Sequence, residues 1–518
     1  MTRLRPDYLK MAGLGAAGLL CAALLASAGP ACAAVTAGRI FSDNMILQRD
    51  VPSPVWGTAA PGETVVVSFG NQEKTTKADA DGKWRVQLDP LQTGRAATLT
   101  IRGEKAKDTI AFTDVLAGEV WIGTGQSNMD GRTGGYRRQD EVLDAWAKDA
   151  AGMPLRFYDN QKGAWRPPSQ ETINQFSALG FSFIYSLSKE LAVPVGMMVV
   201  AEGGQPSVKW ITREMAAASS DPVLRKYGQP GYTGEASSVA PEDRNMRRVR
   251  TLDLMGCHYV KIKELYYPYG IRGVLWDQGE AGTCLDDVDQ FTAMSALIAG
   301  WRRDWGQGDF PFLHIQKPSG GGCAWDPSDP VNRKARAFRP QPDKPSRISR
   351  EHVRYALEHL EMRTISNAPL VTAVDLAPGI HPPTKSAYGA RACRVALGTV
   401  YGRGVEIYGP IYRSHKVEGD RMRVEFDHVG KGLAFKHGDK LQGFEIAGAD
   451  GQWDWAEAAI DGDTVVLHNP RIPSPMNVRY AYSPRPDYAN LFNRAGLPAL
   501  LFTTEKLPKS ERAGGGRF

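Results

Sequence analysis

The sequence predicts an α/β fold: a five-stranded parallel, doubly wound sheet with an all-β domain at each end. Two observations predict it. In the centre of the 518-residue chain, five apolar runs alternate with helical stretches, as strands buried on both faces and joined by helical crossovers do. On either side the pattern changes to short apolar segments separated by turn residues, which is how small β-sandwiches read.

The first residues stand apart. Arg3, Arg5 and Lys10 precede an apolar run from Met11 to about Ala28, and Ala31-Cys32-Ala33 offers a small-x-small cleavage site. This is the three-part pattern of a secretory signal peptide over residues 1–33. The run is short and rich in Ala and Gly for a membrane anchor, and the residues before Cys21 and Cys32 do not suit lipid attachment. A soluble periplasmic or extracellular protein is expected, cleaved near Ala33 and without a membrane partner thereafter. The chain carries 63 Lys+Arg and 57 Asp+Glu, with 42% hydrophobic and 23% charged residues. Those proportions exclude a disordered, collagen-like or polytopic membrane chain. A net charge of +6, carried by scattered basic residues, excludes nucleic acid as an expected partner. Beyond the leader, Cys257, Cys284, Cys323 and Cys393 form an even set suited to disulfides in an oxidising compartment. Their spacing does not suit a zinc site, and Cys284–Cys323 is the expected pair.

Residues 35–114 contain Met45-Ile-Leu-Gln48, Val55-Trp-Gly57, Thr64 to Phe69, Trp84 to Leu88 and Ala97 to Ile101, with turns at Ala60-Pro-Gly-Glu63 and Asp79-Ala-Asp-Gly82. A small β-sandwich follows from that spacing. The central region, 115–403, holds strands at Val120–Gly123, Val195–Val200, Ile271–Trp276, Phe310–Ile315 and Pro369–Asp375. Helices are expected at Phe176–Leu191, Arg247–Lys263, Val288–Arg303, Arg350–Met362 and Lys385–Tyr401. Pro327 to Arg347 is polar, basic and Pro-rich, and reads as an exposed loop. Residues 404–507 return to strands and turns and form a second β domain, and 508–518 read as a frayed tail.

In a parallel sheet the ligand sits beyond the carboxyl ends of the strands. Gly123-Thr-Gly-Gln-Ser-Asn-Met129 follows the first strand, Glu202-Gly-Gly-Gln205 the second, and Asp277-Gln-Gly-Glu280 the third. Gln316-Lys317 follows the fourth, and Gly379-Ile-His-Pro382 the fifth. Acyl transfer to water needs these residue types on one rim. A serine hydroxyl is a weak nucleophile until an imidazole takes its proton, and a tetrahedral oxyanion needs preorganised N–H donors. Ser127 supplies one backbone donor, Gly203 or Gly204 another, and the Gln278 or Asn128 amide a third. Taken singly, each feature has an ordinary structural explanation. Ser127 would cap a helix, Gly203-Gly204 would form a turn, Trp210 and Trp276 would be core or rim aromatics, and Glu280 would sit in a salt bridge. Their joint occurrence in strand order is what points to chemistry.

Met129 stands where a Gly-x-Ser-x-Gly elbow would have its second glycine, which separates the chain from ordinary α/β-hydrolases. Gly125-Gln-Ser-Asn-Met129 instead resembles the first block of the SGNH (GDSL-like) hydrolases, in the form used by the sialate O-acetylesterase family. Gly203-Gly204 with Trp210 resembles the second block, Trp276-x-Gln-Gly-Glu280 the third, and Ile380-His-Pro382 with Lys385 the last. Phe41 to Arg49 and Asp81-Gly-Lys-Trp84 are similar to that family's N-terminal β domain. Val478-Arg-Tyr480, Asn490 to Asn493 and Gly496-Leu-Pro498 are similar to its C-terminal one. The resemblance implies a flavodoxin-like SGNH sheet and an esterase, with neither metal nor cofactor, that removes acetyl groups from sugar hydroxyls. Ser127 would be the nucleophile and His381 the base. Gln126, Asn128, Trp210 and Trp276 would contact the saccharide, with Asp130 or Arg132. The chain departs from the family pattern at Gly282, commonly Asn, and at Gly379, often an acid. Asp375 and Glu280 are therefore the candidates for orienting His381, with a Ser–His dyad as the alternative. A non-catalytic carbohydrate-binding protein, or a lipase or peptidase on the same scaffold, are the competing functions.

Overall fold

The computed structural model describes residues 34–105, 107–232, 254–345 and 348–507. The expected leader, the tail and the first part of the expected Arg247–Lys263 helix lie outside these residues. Among the described residues no helix is long and apolar enough to cross a membrane.

The parallel sheet is larger than expected. Its strands lie in the order Leu155–Asp159, Val195–Ala201, Thr109–Gly125, Gly273–Asp277, Phe312–Ile315 and Leu370–Val371, all parallel, and Ala164–Arg166 adds an antiparallel edge beside Leu155–Asp159. Leu155–Asp159 and Ala164–Arg166 were not expected: Leu-Arg-Phe-Tyr-Asp and Ala-Trp-Arg carry charges within short runs. They become strands because the edge of the sheet accepts them. The last strand is reduced to two residues, Leu370–Val371, and Asp375 lies beyond it.

Alternation along the strands sets two layers. Val120, Ile122, Val274, Trp276 and Met198 enter one core with the helix Gln290–Trp305. Trp121, Leu275, Met197 and Leu313 enter the other with the helices Ala178–Leu191 and Lys385–Thr399. Successive side chains point to opposite faces, so a run apolar at every position is one covered on both sides.

Thr109–Gly125 joins this sheet to the N-terminal β unit. Its first half pairs antiparallel with Ala97–Gly103 and alternates between exposed and half-buried. From Val115 onward every residue is buried. The N-terminal unit has a second sheet of Thr36–Ala37, Ser53–Thr58 and Lys83–Leu88. Ile46–Gln48 runs parallel to residues 116–118 of the long strand. At the C-terminal end, two four-stranded sheets and one two-stranded sheet enclose a separate apolar core.

The long strand is anchored where it enters the parallel sheet. Glu119 is fully buried, and its carboxylate takes the Arg49 Nε at 2.6 Å and the Arg272 Nε at 2.7 Å. The Gln48 side chain donates to Glu119 at 3.2 Å and accepts from the Val120 N–H at 2.8 Å. The Gln48-Arg49 pair thus locks the N-terminal unit to the strand that leads to Ser127.

The four cysteines at 257, 284, 323 and 393 are all free thiols, so the expected Cys284–Cys323 pair is absent. Cys284 Sγ faces the Ala281 carbonyl within its own turn, whereas Cys323 Sγ faces the Ala489 carbonyl of the C-terminal β unit. The two side chains are committed to different neighbours.

Glu119→Gln is expected to lower the free energy of unfolding by about 3 kcal/mol, since it leaves two inward-facing guanidinium groups without their charge partner. Burial works to raise the Glu119 pKa, but Arg272 and Arg49 together outweigh it and hold it below the usual glutamate value. Its stabilisation is therefore present above the unfolded pKa and lost as pH falls through the lowered folded one. Urea midpoints at pH 7 and in the acid range check both parts: the gap between wild type and variant should shrink as the pH falls.

Candidate active site

The first strand ends on a contact that only glycine allows. Gly125 has φ +132°, and a Cβ there would lie 2.0 Å from the Asp277 carbonyl oxygen. The Gln126 N–H donates to that same oxygen at 2.8 Å. A short helical turn, Ser127–Asp130, begins at once and leaves Ser127 half-buried at the sheet's carboxyl edge. The Ser127 N–H lies in the first turn and enters no intrahelical bond, as expected at a helix start.

The glycine pair after the second strand comes to the same place. A Cβ on Gly203 would lie 3.5 Å from the Ser127 Cβ, so the backbone passes close to the serine. Gly203 and Gly204 are both exposed, and Gly204 adopts φ +71°, a conformation that favours glycine.

His381 reaches the same rim through a neighbour. Asn128, next to Ser127, donates from Nδ2 at 3.0 Å to the carbonyl of Ile380, next to His381. The imidazole is exposed. Among the described residues, no hydrogen bond joins the Ser127 hydroxyl to the His381 ring.

Behind these residues lies a buried charged cluster. Lys317, directly after the fourth strand, places Nζ 2.8 Å from Asp277 Oδ1 and 2.7 Å from Glu280 Oε1. Asn128 Nδ2 also donates to Glu280 Oε1, at 3.0 Å. Lys385 Nζ donates to Asn128 Oδ1 at 2.6 Å and lies 4.6 Å from the centre of the Tyr136 ring. Burial holds the Asp277 carboxyl above the usual aspartate range. It would depress Lys317 as well, but the two carboxylates reverse that and hold this ammonium above the ordinary lysine value. Lys385 lacks so close an acid, and burial pushes it down to about 7. Asp277 and Lys317 stood in the strand-end strings of the sequence, yet nothing there distinguished them from ordinary rim residues. Their role follows from the pairing.

Several expected site residues take other roles. Gln278 is fully buried, and its amide is saturated. Oε1 accepts from Ser207 Oγ at 2.6 Å and Gln290 Nε2 at 3.1 Å, and Nε2 donates to the carbonyls of Gln205 and Gly282. An amide with both donors and both lone pairs engaged has nothing left for an oxyanion; Gln278 instead fixes the loop that carries Gly203. Trp210 and Trp276 are wholly buried and pack edge to face at 5.1 Å, and the Trp210 indole donates to Thr124 Oγ1. Neither presents a surface to a sugar. Asp375 is fully buried, with both carboxylate oxygens held by Arg391 at 3.0 and 2.8 Å; it is not brought to His381. Asn128 is 2% exposed and spends its amide on protein partners. Gln126 is buried, and among the described residues its Oε1 has no hydrogen-bond partner. Of the two candidate acids, Glu280 is the one that shares a partner, Asn128, with the His381 loop.

Two cavities open near these residues, one beside the His381 segment and one beside the serine turn. One, of about 330 Å³, is lined by Glu280, Lys317, Arg336, Tyr355, Gly379 and Ile380 among others. The other, of about 430 Å³, lies against Met129, Asp130, Arg132, Asn160 and Ala201, which puts Asp130 and Arg132 on a cleft wall. Among the described residues, no group of three or more His, Cys, Asp or Glu side chains could hold a metal ion.

No protein-family model matches the chain. The sialate O-acetylesterase of Mus musculus is 26% identical over 324 residues, which is 54% of this chain and 59% of that protein. The human sialate O-acetylesterase is 25% identical over 317 residues, 54% of this chain and 56% of that protein. The chain thus spans somewhat under three-fifths of the length of these curated relatives. Among solved structures, a novel carbohydrate acetylesterase from Xanthomonas citri matches with a TM-score of 0.70 and 25% identity, over 91% of this chain and 100% of that one. With the serine turn, the glycine pair and the histidine loop gathered on one sheet edge, these likenesses support a sialate O-acetylesterase-like family.

Proposed function

We propose that the protein is a carbohydrate O-acetylesterase of the SGNH type, acting through an acyl-enzyme at Ser127. The observation that carries this reading is the Asn128–Ile380 hydrogen bond, which ties the residue after the serine to the residue before the histidine. In the proposed reaction the Ser127 hydroxyl attacks the acetyl carbonyl while His381 takes its proton. His381 then delivers that proton to the departing sugar oxygen. The N–H groups of Ser127 and Gly203 or Gly204 receive the oxyanion. Water, activated by the same imidazole, releases acetate and restores the serine. Glu280 is proposed as the acid acting on His381: it shares Asn128 with the His381 loop and lines the cavity beside Ile380, whereas Asp375 is taken up by Arg391.

The saccharide is proposed to lie over the exposed glycine pair and into the cleft walled by Asp130 and Arg132. Acetylated sialic acid and acetylated hemicellulose such as xylan or xyloglucan are the candidate substrates, and the leader-like first 33 residues support a periplasmic or extracellular site of action. Acetate release from a panel of acetylated sialosides, xylan and xyloglucan tests the substrate directly. Hydrolysis of long-chain esters faster than acetate esters would instead favour a lipase.

Ser127→Ala and His381→Ala are each expected to lower kcat on p-nitrophenyl acetate by on the order of 10⁴-fold; full activity in Ser127→Ala rejects the acyl-enzyme. Asp375→Asn and Glu280→Gln should separate the two acids. The first weakens a fully buried ion pair and lowers the melting temperature while leaving kcat of the folded protein within about threefold. The second lowers kcat by about 10²-fold. Steady-state kinetics alongside thermal melts check both.

A further inference from the structure

The segment that carries His381 has few hydrogen-bonded attachments. Pro382 is buried and Pro383 half-buried, but neither has an N–H to donate, and Gly379, Ile380 and His381 are exposed. Among the described residues, the one hydrogen bond holding residues 378–383 to the body is that from Asn128 Nδ2 to the Ile380 carbonyl. The hydrogen-bonded hold on this segment therefore depends on which way the Asn128 amide faces. An amide can be turned over with little change in shape, so its orientation must be set by its partners.

Lys385 sets it. The Lys385 Nζ donates to Asn128 Oδ1 at 2.6 Å, and an ammonium there must meet the amide oxygen, because it has donors and no acceptor. With Oδ1 fixed there, the NH2 group faces Glu280 Oε1 and the Ile380 carbonyl, both acceptors at 3.0 Å. Lys385 opens the helix Lys385–Thr399, four residues after His381, and is 2% exposed. Its buried stem brings the head group against both the Tyr136 ring and the Asn128 amide. Turned over, the amide would oppose its oxygen to the Ile380 carbonyl oxygen and release the loop.

We propose that Lys385 is a positioning residue, which orients the Asn128 amide so that it pins the Ile380 carbonyl and holds His381 in register with Ser127. The inference rests on the Ser127–His381 reading. Lys385 touches neither the substrate nor the reacting atoms and acts through Asn128, so its effect falls on turnover rather than binding; misplacing a catalytic group by about 1 Å costs about 10²-fold.

The test is a double-mutant cycle on p-nitrophenyl acetate hydrolysis by the full chain, using Lys385→Met, Asn128→Ala and the pair together, with Ser127→Ala as control. Lys385→Met is expected to lower kcat by about tenfold to 10²-fold with KM within about threefold. The pair should be no slower than Asn128→Ala alone, since the lysine then has nothing to orient. A kcat in Lys385→Met within twofold of wild type, or losses that multiply in the pair, overturns the proposal. A melting curve for each variant shows that the folded protein is being compared, and Lys385→Leu, which likewise has no donor, carries the same readings if Lys385→Met does not fold. If Ser127→Ala retains full activity, the acyl-enzyme reading fails and this one with it. If Ser127→Ala is inactive and Lys385→Met is not impaired, only the positioning role fails.

Discussion

Two carboxylates and two lysines buried beneath the serine turn hold the site together. Asp277, Glu280, Lys317 and Lys385 would each be costly alone, since an ion taken from water into the interior loses several kcal/mol of hydration. Lys317 is held between the two carboxylates and Lys385 against the Asn128 oxygen, and that geometry gathers the ends of separate elements. Asp277 and Glu280 belong to the end of the third expected strand, Lys317 to the fourth, and Lys385 to the last helix. Asn128, between these charges, belongs to the serine turn. Moving any one of these ends would strand a charge. The rim's convergence is thus enforced by electrostatics as well as by sheet topology.

A second constraint works from the other end of the same strand. Glu119, with Arg49, Arg272 and Gln48, fixes where Thr109–Gly125 passes from the N-terminal sheet into the parallel one. Six residues later the strand meets Asp277 so closely that position 125 must be glycine. Between these two points the backbone has no slack, and Ser127 emerges at a defined height on the edge. The β unit at the N-terminal end thereby contributes to the position of a residue it does not touch.

Four of the expected site residues share a feature. Gln278, Trp210, Trp276 and Asp375 are all buried and bonded or packed against protein partners. Gln278 holds the Gly203 loop through Gln205, Trp210 and Trp276 fill the layer beneath, and Asp375 neutralises Arg391. Side chains that orient a site from behind lie in the same short strings as those that face it, because both sit at strand ends. A one-dimensional string cannot tell front from back.

The sequence by itself determined the alternation of strands and helices, the sheet edge on which chemistry would gather, and the residues adjacent in the chain to Ser127, Gly203 and His381. Apolar periodicity and turn chemistry are local and can be read in order. Only the tertiary structure decided that Leu155–Asp159 and Ala164–Arg166 extend the sheet, that Cys284 and Cys323 face different neighbours, and that Asp375 belongs to Arg391 while Glu280 belongs with Asn128. Strand pairing at an edge, the partner of a buried charge and the direction of an amide are all settled between residues distant in the chain. No local pattern encodes them until packing has chosen which groups lose their water together.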